Sequence, residues 1–220
     1  MHLPFPSKGL YAITPDRLRG DALLAAVELA LLGGAAVLQY RPKSGSAKDH
    51  LAEGSRLLGV CRAAGVPLII NDSPRLVAEI GADGVHLGRD DGGVAAARSL
   101  IGAQAIVGVS CYDSLDRALR AEAEGAAYVA FGAFFPSATK PGAPRARLET
   151  LREAKIRLSV PIVAIGGLDA ANASQVVDAG ADLVAVVEAV FGASDVARAA
   201  SELRGLVHSP PSRRPLLDGG

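Results

Sequence analysis

Two hydroxyl side chains and a lysine follow the apolar stretch at residues 128–135 of this chain. They belong to the run Pro136-Ser-Ala-Thr-Lys-Pro141, which contains Ser137, Thr139 and Lys140. Short hydroxyls, a cation and loop N–H groups form the charge-assisted hydrogen bonds that an oligophosphate needs. Taken alone, such a tract is more often a solvated turn than a ligand site. Its significance depends on polar residues elsewhere in the chain.

Five other polar motifs also follow apolar runs, so each is predicted to lie where a strand ends. They are Gln39-Tyr-Arg-Pro-Lys43, Asn71-Asp72, Gly88-Arg-Asp-Asp91, Gly108-Val-Ser110 and Ile165-Gly-Gly167. In the first motif, Gln39, Arg41 and Lys43 are spaced by two and share one face of an extended chain. Pro42 keeps Arg41 extended, because the residue before a proline avoids the helical conformation. For this segment alone, a strand that ends in ordinary surface charge is an equally good interpretation.

Two aspartates, Asp72 and Asp91, follow neighbouring predicted strands and could share one hard cation. Mg²⁺ is usually held by one or two carboxylates together with substrate phosphates. Asp90 is an alternative to Asp91, since the sequence does not show which of the two points inward. Asp72 is also suited to capping the helix predicted after it. Asn71 offers both donors and acceptors, which suits the edge of a heterocycle.

The composition excludes several classes of function. Lysine plus arginine equals aspartate plus glutamate at 23 each, so no net field draws the chain to nucleic acid or to an anionic membrane. Cys61 and Cys111 form no disulfide framework and no metal-ligand spacing, and we expect both to be buried in a reducing compartment. The N-terminus has no secretory pattern, and no apolar run is long enough to cross a bilayer. We therefore expect a cytoplasmic protein that acts on small molecules.

The elements that must position the polar motifs are visible as short apolar runs rich in Val and Ile, typical of parallel strands covered on both faces. The predicted strands are residues 9–14, 35–41, 67–71, 84–88, 105–110, 128–135, 161–167 and 183–190. The predicted helices are residues 21–32, 46–64, 73–80, 92–101, 114–124, 147–157, 169–179 and 194–206. Possible N-caps are Asp21, Ser46, Ser73, Ser114 and Asp169, and glycines that follow helix ends are Gly33, Gly65, Gly81, Gly125 and Gly180.

Eight β/α units favour an α/β protein with a single-domain (β/α)₈ TIM barrel over an open doubly wound sheet. The barrel is predicted to span residues 9–208, with an N-terminal extension at 1–8 and a flexible tail at 209–220. In this fold the active site forms at the C-terminal ends of the strands. The polar motifs should therefore meet at one rim of the barrel.

The strand ends then form two phosphate-type sites. Arg41, Lys43 and Lys140, with an aspartate-bound Mg²⁺, suit a diphosphate. Ser137, Thr139 and Gly167 suit a monophosphate, because glycine lets backbone approach a ligand closely. This pair of sites predicts the joining of two phosphorylated molecules with loss of pyrophosphate.

Neither Ser110 nor His86 indicates nucleophilic catalysis, because no histidine–carboxylate pair accompanies a serine in the sequence. We interpret His86, in the middle of its predicted strand, as a hydrogen-bonded residue of the core or the mouth.

Together these motifs resemble those of thiamine-phosphate synthases. The similarity runs from Gly9 to about Val207 and includes, in order, Q-Y-R-x-K, I-I-N-D, G-V-H-L-G-x-x-D, G-V-S, F-F-P-S-x-T-K-P and V-A-I-G-G. The resemblance implies a (β/α)₈ transferase that couples 4-amino-5-hydroxymethyl-2-methylpyrimidine diphosphate to hydroxyethylthiazole phosphate and releases pyrophosphate. It also implies a Mg²⁺-assisted dissociative displacement, with Arg41, Lys43 and Lys140 as the catalytic cations.

The resemblance also implies which residues bind each ligand. The residues that would bind the pyrimidine diphosphate are Gln39, Tyr40, Arg41, Pro42, Lys43, Asn71, Ser110 and Lys140. Those that would bind Mg²⁺ are Asp72 and Asp91. Those that would surround the thiazole phosphate are Ser137, Ala138, Thr139, Gly167, Val187 and Glu188. Glu188 departs from the family, which usually has serine beside the thiazole phosphate. We expect its carboxylate to point to the rim and to pair with a neighbouring cation, which leaves the phosphate on backbone N–H groups.

Three alternative functions share some of these features. A thiazole tautomerase-like isomerase would share the barrel and much of the phosphate site, but it needs neither the two aspartates nor the diphosphate cations. A catalytically weak paralogue that only binds thiamine intermediates would explain Glu188. A phosphate-sugar epimerase would share only the fold, and the sequence lacks its metal-binding histidines.

Overall fold

A computed structural model describes residues 3–136 and 145–209 of the chain. Eight parallel strands hydrogen-bond in sequence order, and the eighth pairs with the first to close a barrel. The strands are β1 (Gly9–Ile13), β2 (Ala35–Tyr40), β3 (Leu68–Asn71), β4 (Gly84–Leu87), β5 (Ile106–Tyr112), β6 (Tyr128–Phe131), β7 (Ile162–Ile165) and β8 (Leu183–Val186). The predicted (β/α)₈ TIM barrel is confirmed.

Helices cover the outside of the barrel. In the described residues they are α1 (Gly20–Leu32), α2 (Ala47–Ala64), α3 (Pro74–Ile80), α4 (Val94–Ile101), α5 (Leu115–Ala123), α6 (Leu148–Arg157), α7 (Ala173–Asp178), α8 (Glu188–Phe191) and α9 (Val196–His208). Two helices, α8 and α9, follow β8, whereas the sequence predicted one. Within the described residues, no helix is both long and apolar enough to cross a lipid bilayer.

Successive side chains along each strand point to opposite faces of the sheet, and this alternation divides the core into two layers. In β1, Leu10 and Ala12 belong to the cluster between strands and helices, whereas Tyr11 and Ile13 belong to a second cluster inside the barrel. The other members of the inner cluster are Val37, Ile69, Ile106, Tyr128, Ala130, Val163, Leu183 and Ala185. Because two of these side chains are tyrosines, hydroxyl groups are buried inside the barrel and need partners there.

Both cysteines are free and buried, as predicted. Burial raises the pKa of Cys61 and of Cys111 to about 12. Neither thiol is therefore a nucleophile at neutral pH.

Three of the five predicted N-caps form. The side chains of Ser46, Ser73 and Ser114 each accept a hydrogen bond from a backbone N–H in the first turn of their helix. Asp21 and Asp169 do not cap helices, contrary to prediction. Asp21 lies inside α1, and Asp169 accepts from two N–H groups of a turn that precedes the start of α7.

Two predicted strands extend four residues beyond the observed strand end. The strand predicted at 183–190 ends at Val186, because the apolar residues that follow form α8 and bury Val190 and Phe191 on one face. The strand predicted at 128–135 ends at Phe131, although the N–H of Phe134 still donates to the carbonyl of Ile165 (3.3 Å). A short apolar run does not by itself distinguish a strand from a buried helical turn.

Glu53 on α2 ties the outer layer to the loop after β1. Its carboxylate accepts from Arg19 Nε at 3.0 Å, from the N–H of Gly20 at 2.8 Å and from the Tyr40 hydroxyl at 2.7 Å. Burial opposes ionisation, but these three donors outweigh it and lower the pKa of Glu53 below its ordinary value. Glu53 is therefore a buried carboxylate that accepts a hydrogen bond from each of these three groups.

We expect Glu53→Gln to reduce the free energy of unfolding by about 2 kcal/mol at neutral pH, because charged hydrogen bonds are lost. Since the folded-state pKa is depressed, the contribution of Glu53 is present above its unfolded pKa and lost as the pH falls through the folded pKa. Urea unfolding at pH 7 and below pH 4 measures both effects. Glu79→Gln, which breaks the exposed pair with Arg75, is the control and should change little; equal losses in the two variants would contradict the prediction.

Candidate active site

The C-terminal ends of the strands bring polar residues together at one rim. Lys43, which follows β2, donates from Nζ to Asp72 Oδ2 at 3.0 Å, and Asp72 follows β3. The carboxyl of Asp72 is close enough to that of Asp91, which follows β4, for each to shift the pKa of the other. Residues from three successive strands therefore form one charged cluster.

The loop that presents Arg41 and Lys43 is held by residues that follow β1. Thr14 Oγ1 accepts from the N–H of Arg41 at 3.0 Å, and Asp16 Oδ1 accepts from the N–H of Lys43 at 2.6 Å. The hydrogen bond from the Lys43 N–H is the main reason that the pKa of Asp16 is lowered. Thr14 and Asp16 were not predicted to be site residues, although Thr-Pro-Asp follows an apolar run in the same way as the other motifs.

Asp72 has an unusual backbone conformation for a residue with a side chain. Its φ is 61°, in the left-handed region, and its N–H donates to the carbonyl of His86 at 2.9 Å. Ser73, and not Asp72, caps α3. The capping alternative for Asp72 is therefore wrong, and its carboxylate faces Lys43 and Asp91 instead.

The two carboxyls of the cluster differ in their pKa values. Burial acts to raise the pKa of Asp72, but hydrogen bonds from Lys43 and Asp91 lower it below its ordinary value. Burial and the neighbouring Asp72 carboxylate raise the pKa of Asp91, although the N–H of Gly88 donates to it at 2.7 Å. Asp90, in contrast, is exposed. The structure thus favours Asp91 over Asp90 as the partner of Asp72.

These residues fit a hard divalent cation. Two carboxyls in contact repel each other when both are ionised, as the raised pKa of Asp91 reflects. A dication bound between them would relieve that repulsion, and carboxylate oxygens are the protein ligands that Mg²⁺ prefers. Asp72 and Asp91 are therefore the residues that could hold the metal.

Not every predicted ligand residue presents its side chain to this rim. Pro42, Asn71 and Asp72 line one cleft beside α3. The Tyr40 side chain is buried on the helix side of the barrel, where its hydroxyl donates to Glu53. Only the backbone of Tyr40 is therefore available to a ligand at the mouth.

Inside the barrel, a chain of hydrogen bonds joins two predicted ligand residues. Gln39 Nε2 donates to Tyr11 Oη at 2.8 Å, and Tyr11 Oη lies 2.8 Å from Tyr128 Oη. His86 Nδ1 lies 2.9 Å from Tyr128 Oη, and His86 Nε2 lies 2.8 Å from Ser110 Oγ. The sequence interpretation of His86 as a hydrogen-bonded residue is confirmed. The roles of the two tyrosines were not predicted.

The predicted thiazole-phosphate site is only partly described. Ser137, Ala138, Thr139 and Lys140 lie outside the described residues. Gly167 has a φ of 65°, and a Cβ placed there would lie 2.3 Å from the carbonyl oxygen of Pro136. Gly167 therefore allows the backbone at the end of β7 to pack directly against the segment that leads into Ser137.

Glu188 pairs with a neighbouring cation, as predicted. Arg17, which follows β1, donates from Nη2 to Glu188 Oε2 at 2.7 Å and to the carbonyl of Phe191 at 2.9 Å. Both side chains of the ion pair are about half exposed (47% and 52%). Val187, the other predicted residue here, is half-buried immediately before α8. The sequence predicted a cation beside Glu188 but did not identify it as Arg17.

Comparison with known proteins identifies the family. The family model described as thiamine monophosphate synthase matches residues 10–190. The chain belongs to this family. It is 75% identical over 218 residues to a thiamine-phosphate synthase of Methylococcus capsulatus, covering 99% of this chain and 97% of the relative. It is 52% identical to a thiamine-phosphate synthase of Thiobacillus denitrificans, covering 94% of this chain and 98% of that one.

A solved structure agrees with the sequence comparisons. Thiamine phosphate pyrophosphorylase from Pyrococcus furiosus has a TM-score of 0.83 and 36% identity, over 91% of this chain and 96% of that one. Both the fold and the family therefore match over nearly the whole barrel, and the chain is an enzyme of this family.

The aspartate pair generates a metal-binding prediction. Asp91→Asn should weaken Mn²⁺ binding in the presence of inorganic pyrophosphate by at least about tenfold, since even indirect support of a metal ligand has an effect of this size. Affinity should also fall as the pH drops through the raised pKa of Asp91, because the protonated acid is a poor ligand. Electron paramagnetic resonance of Mn²⁺ measures both, with Asp90→Asn as the matched control. Loss of binding in Asp90→Asn but not in Asp91→Asn would reverse the assignment.

Proposed function

We propose that this enzyme couples 4-amino-5-hydroxymethyl-2-methylpyrimidine diphosphate to hydroxyethylthiazole phosphate, forming thiamine phosphate and pyrophosphate. The observation that supports it best is the charged cluster of Lys43, Asp72 and Asp91 at one rim, beside Arg41. A diphosphate leaving group needs cations and a metal site on the same side, and this cluster offers both.

The chemistry that we propose is a dissociative displacement. Mg²⁺, bound by Asp72 and Asp91, would supply charge neutralisation for the departing pyrophosphate. Arg41 and Lys43 stabilise the same developing charge, and Thr14 and Asp16 fix the loop that presents them. We assign the same role to Lys140.

The remaining task of the site is to hold the two substrates together. The electron-rich aminopyrimidine can carry the positive charge that remains on its methylene carbon, so the thiazole nitrogen needs only to be close while water is excluded. A general base is not required. The pyrimidine would lie against Gln39, Asn71 and Ser110, and the backbone of Tyr40 and Pro42 would border it.

For the acceptor, we propose a phosphate site built mainly from backbone. It comprises Ser137, Ala138, Thr139, Gly167, Val187 and the N–H of Glu188. The pairing of the Glu188 carboxylate with Arg17 supports this proposal, because the negative charge is neutralised at the rim.

The alternatives have less support. A tautomerase-like isomerase would not need the Lys43–Asp72–Asp91 cluster, and the relatives at 75% and 52% identity are both named thiamine-phosphate synthases. The weak-paralogue alternative depended on Glu188, whose carboxylate is paired with Arg17.

Arg41→Ala should lower kcat at least about 100-fold while the KM for thiazole phosphate changes less than about threefold, because its charge acts on the leaving group. Steady-state release of pyrophosphate with Mg²⁺ and both phosphorylated precursors measures this. Arg152→Ala removes an exposed arginine of α6 that pairs with Glu149, and it is the matched control. A loss confined to the KM of the pyrimidine substrate would mean that Arg41 only tethers the diphosphate. Absence of product from the parent enzyme would overturn the proposed function.

Glu188→Ser should change the KM for thiazole phosphate less than about twofold, because an exposed ion pair contributes little. Arg17→Ala, in contrast, leaves the Glu188 carboxylate unpaired near the phosphate and should raise that KM. The double variant should return it toward the parent value. If Glu188→Ser alone improved acceptor binding strongly, the carboxylate would face the phosphate and not the rim.

A further inference from the structure

The hydrogen-bond chain Gln39–Tyr11–Tyr128–His86–Ser110 crosses the interior of the barrel from β2 to β5. Each of its members comes from a different strand: β2, β1, β6, β4 and β5. Its two central hydroxyls are deeply buried, since Tyr11 is 1% exposed and Tyr128 is 0% exposed. Gln39 and Ser110, at its two ends, are residues to which the proposed function assigns the pyrimidine.

Each phenol in the chain has one proton, so it can donate to only one of its two neighbours. Burial raises the pKa of both Tyr11 and Tyr128 above the ordinary value, and both remain neutral donors. The Nε2 group of Gln39 can only donate, so Tyr11 Oη must accept from it. A hydrogen-bond chain that runs in this one direction has Tyr11 donating to Tyr128 and Tyr128 donating to His86 Nδ1.

The direction of these bonds selects one form of His86. In that direction Nδ1 accepts from Tyr128, so the imidazole carries its proton on Nε2. Nε2–H then donates to Ser110 Oγ. Ser110 therefore acts as an acceptor toward the interior, and its own proton is available for a ligand.

The orientation of the Gln39 amide, at the opposite end of the hydrogen-bond chain, is also fixed. The Gln39 side chain makes its hydrogen bond through Nε2, and in the described residues no buried side-chain oxygen or nitrogen lacks a partner. Its Oε1 is therefore not sealed inside the core, although Gln39 as a whole is only 3% exposed, and Gln39 lies next to the last residue of β2. A ligand that reached these two residues from the mouth would meet an acceptor on Gln39 and a donor on Ser110.

We propose that Tyr11, Tyr128 and His86 are positioning residues that make this enzyme selective for a 4-aminopyrimidine over a 4-oxopyrimidine. The inference rests on the proposed function. An exocyclic amine donates to Gln39 Oε1, and an unprotonated ring nitrogen accepts from Ser110. A 4-oxopyrimidine has a carbonyl in place of the amine and a proton on a ring nitrogen, so each contact would place two acceptors or two donors together.

Packing inside the barrel supplies a control. The Tyr128 ring stacks on Phe5 at 4.0 Å between centroids and on His86 at 5.5 Å. Phe5 has no hydroxyl and contributes only contact. Phe5→Leu therefore disturbs the packing of Tyr128 and leaves the hydrogen-bond chain complete, whereas Tyr128→Phe removes the hydroxyl and keeps the ring.

The first experiment measures the form of His86 directly. Long-range ¹H–¹⁵N spectra of the full chain at neutral pH distinguish the two imidazole nitrogens, and substitution of His2, His50 and His208 assigns the signals. We expect Nε2 to carry a proton and Nδ1 to act as an acceptor. A proton on Nδ1 would reverse the bonds between Ser110 and His86, between His86 and Tyr128 and between Tyr128 and Tyr11. It would therefore overturn the proposal, whether or not the enzyme makes thiamine phosphate.

The second experiment measures selectivity. Calorimetry gives the Kd of unreactive 4-amino and 4-oxo pyrimidine analogues, in which CH₂ replaces the oxygen of the bond that breaks. The parent should prefer the amino analogue by about 100-fold, as sites that hydrogen-bond a ligand reject its mismatched analogue. Tyr128→Phe should reduce this preference to less than about tenfold, and Phe5→Leu should retain it.

Equal selectivity in the parent and in Tyr128→Phe would overturn the proposal, as would an equal loss in Phe5→Leu. Turnover of the parent with the two true substrates is measured alongside. If the parent fails to turn over the substrates, the proposed function is refuted. If Tyr128→Phe loses selectivity but retains turnover, the result supports the role of the positioning residues without depending on the turnover of the variant. In Tyr128→Phe the KM for the pyrimidine diphosphate should rise and that for thiazole phosphate should not.

Discussion

Closure of a parallel sheet is the constraint on which the rest of this structure depends. Eight strands that run in one direction and pair in sequence order leave no edge, and all of their carboxyl ends meet at one rim. Side chains far apart in the chain therefore become neighbours, as Lys43 and Asp72 do at 3.0 Å. The same closure encloses a narrow interior, so a polar group that points inward must find its partner on another strand.

The sequence predicted the barrel because its signals are repeated. Eight buried runs alternate with amphipathic helices, and an error at one end of a run does not change the count. The errors occur where residues leave the regular pattern: the apolar residues Val190 and Phe191 form a helical turn, and Asp169 binds a turn instead of a helix end. These choices depend on tertiary contacts that the local sequence does not contain.

The meeting of polar side chains at the rim was predictable where a polar motif directly follows a strand, as with Lys43, Asp72 and Asp91. The residues that support those motifs were harder to find. Asp16 accepts hydrogen bonds from backbone N–H groups of the loop after β2. Arg17 pairs with Glu188, which is 171 positions away in the sequence. Tyr11 and Tyr128 were placed in strands, but their mutual contact depends on which face of each strand turns inward and on barrel registers that only the structure gives.

The space for the Tyr128 ring comes from Gly108 on the neighbouring strand β5. A Cβ placed on Gly108 would lie 2.0 Å from Tyr128 Cζ, so the two positions occupy one volume. In evolutionary terms the two positions must change in a fixed order. A residue larger than glycine fits at position 108 only after the tyrosine at position 128 has been replaced by a smaller residue. A lineage that keeps the tyrosine is therefore confined to glycine at 108, although that glycine has no unusual φ.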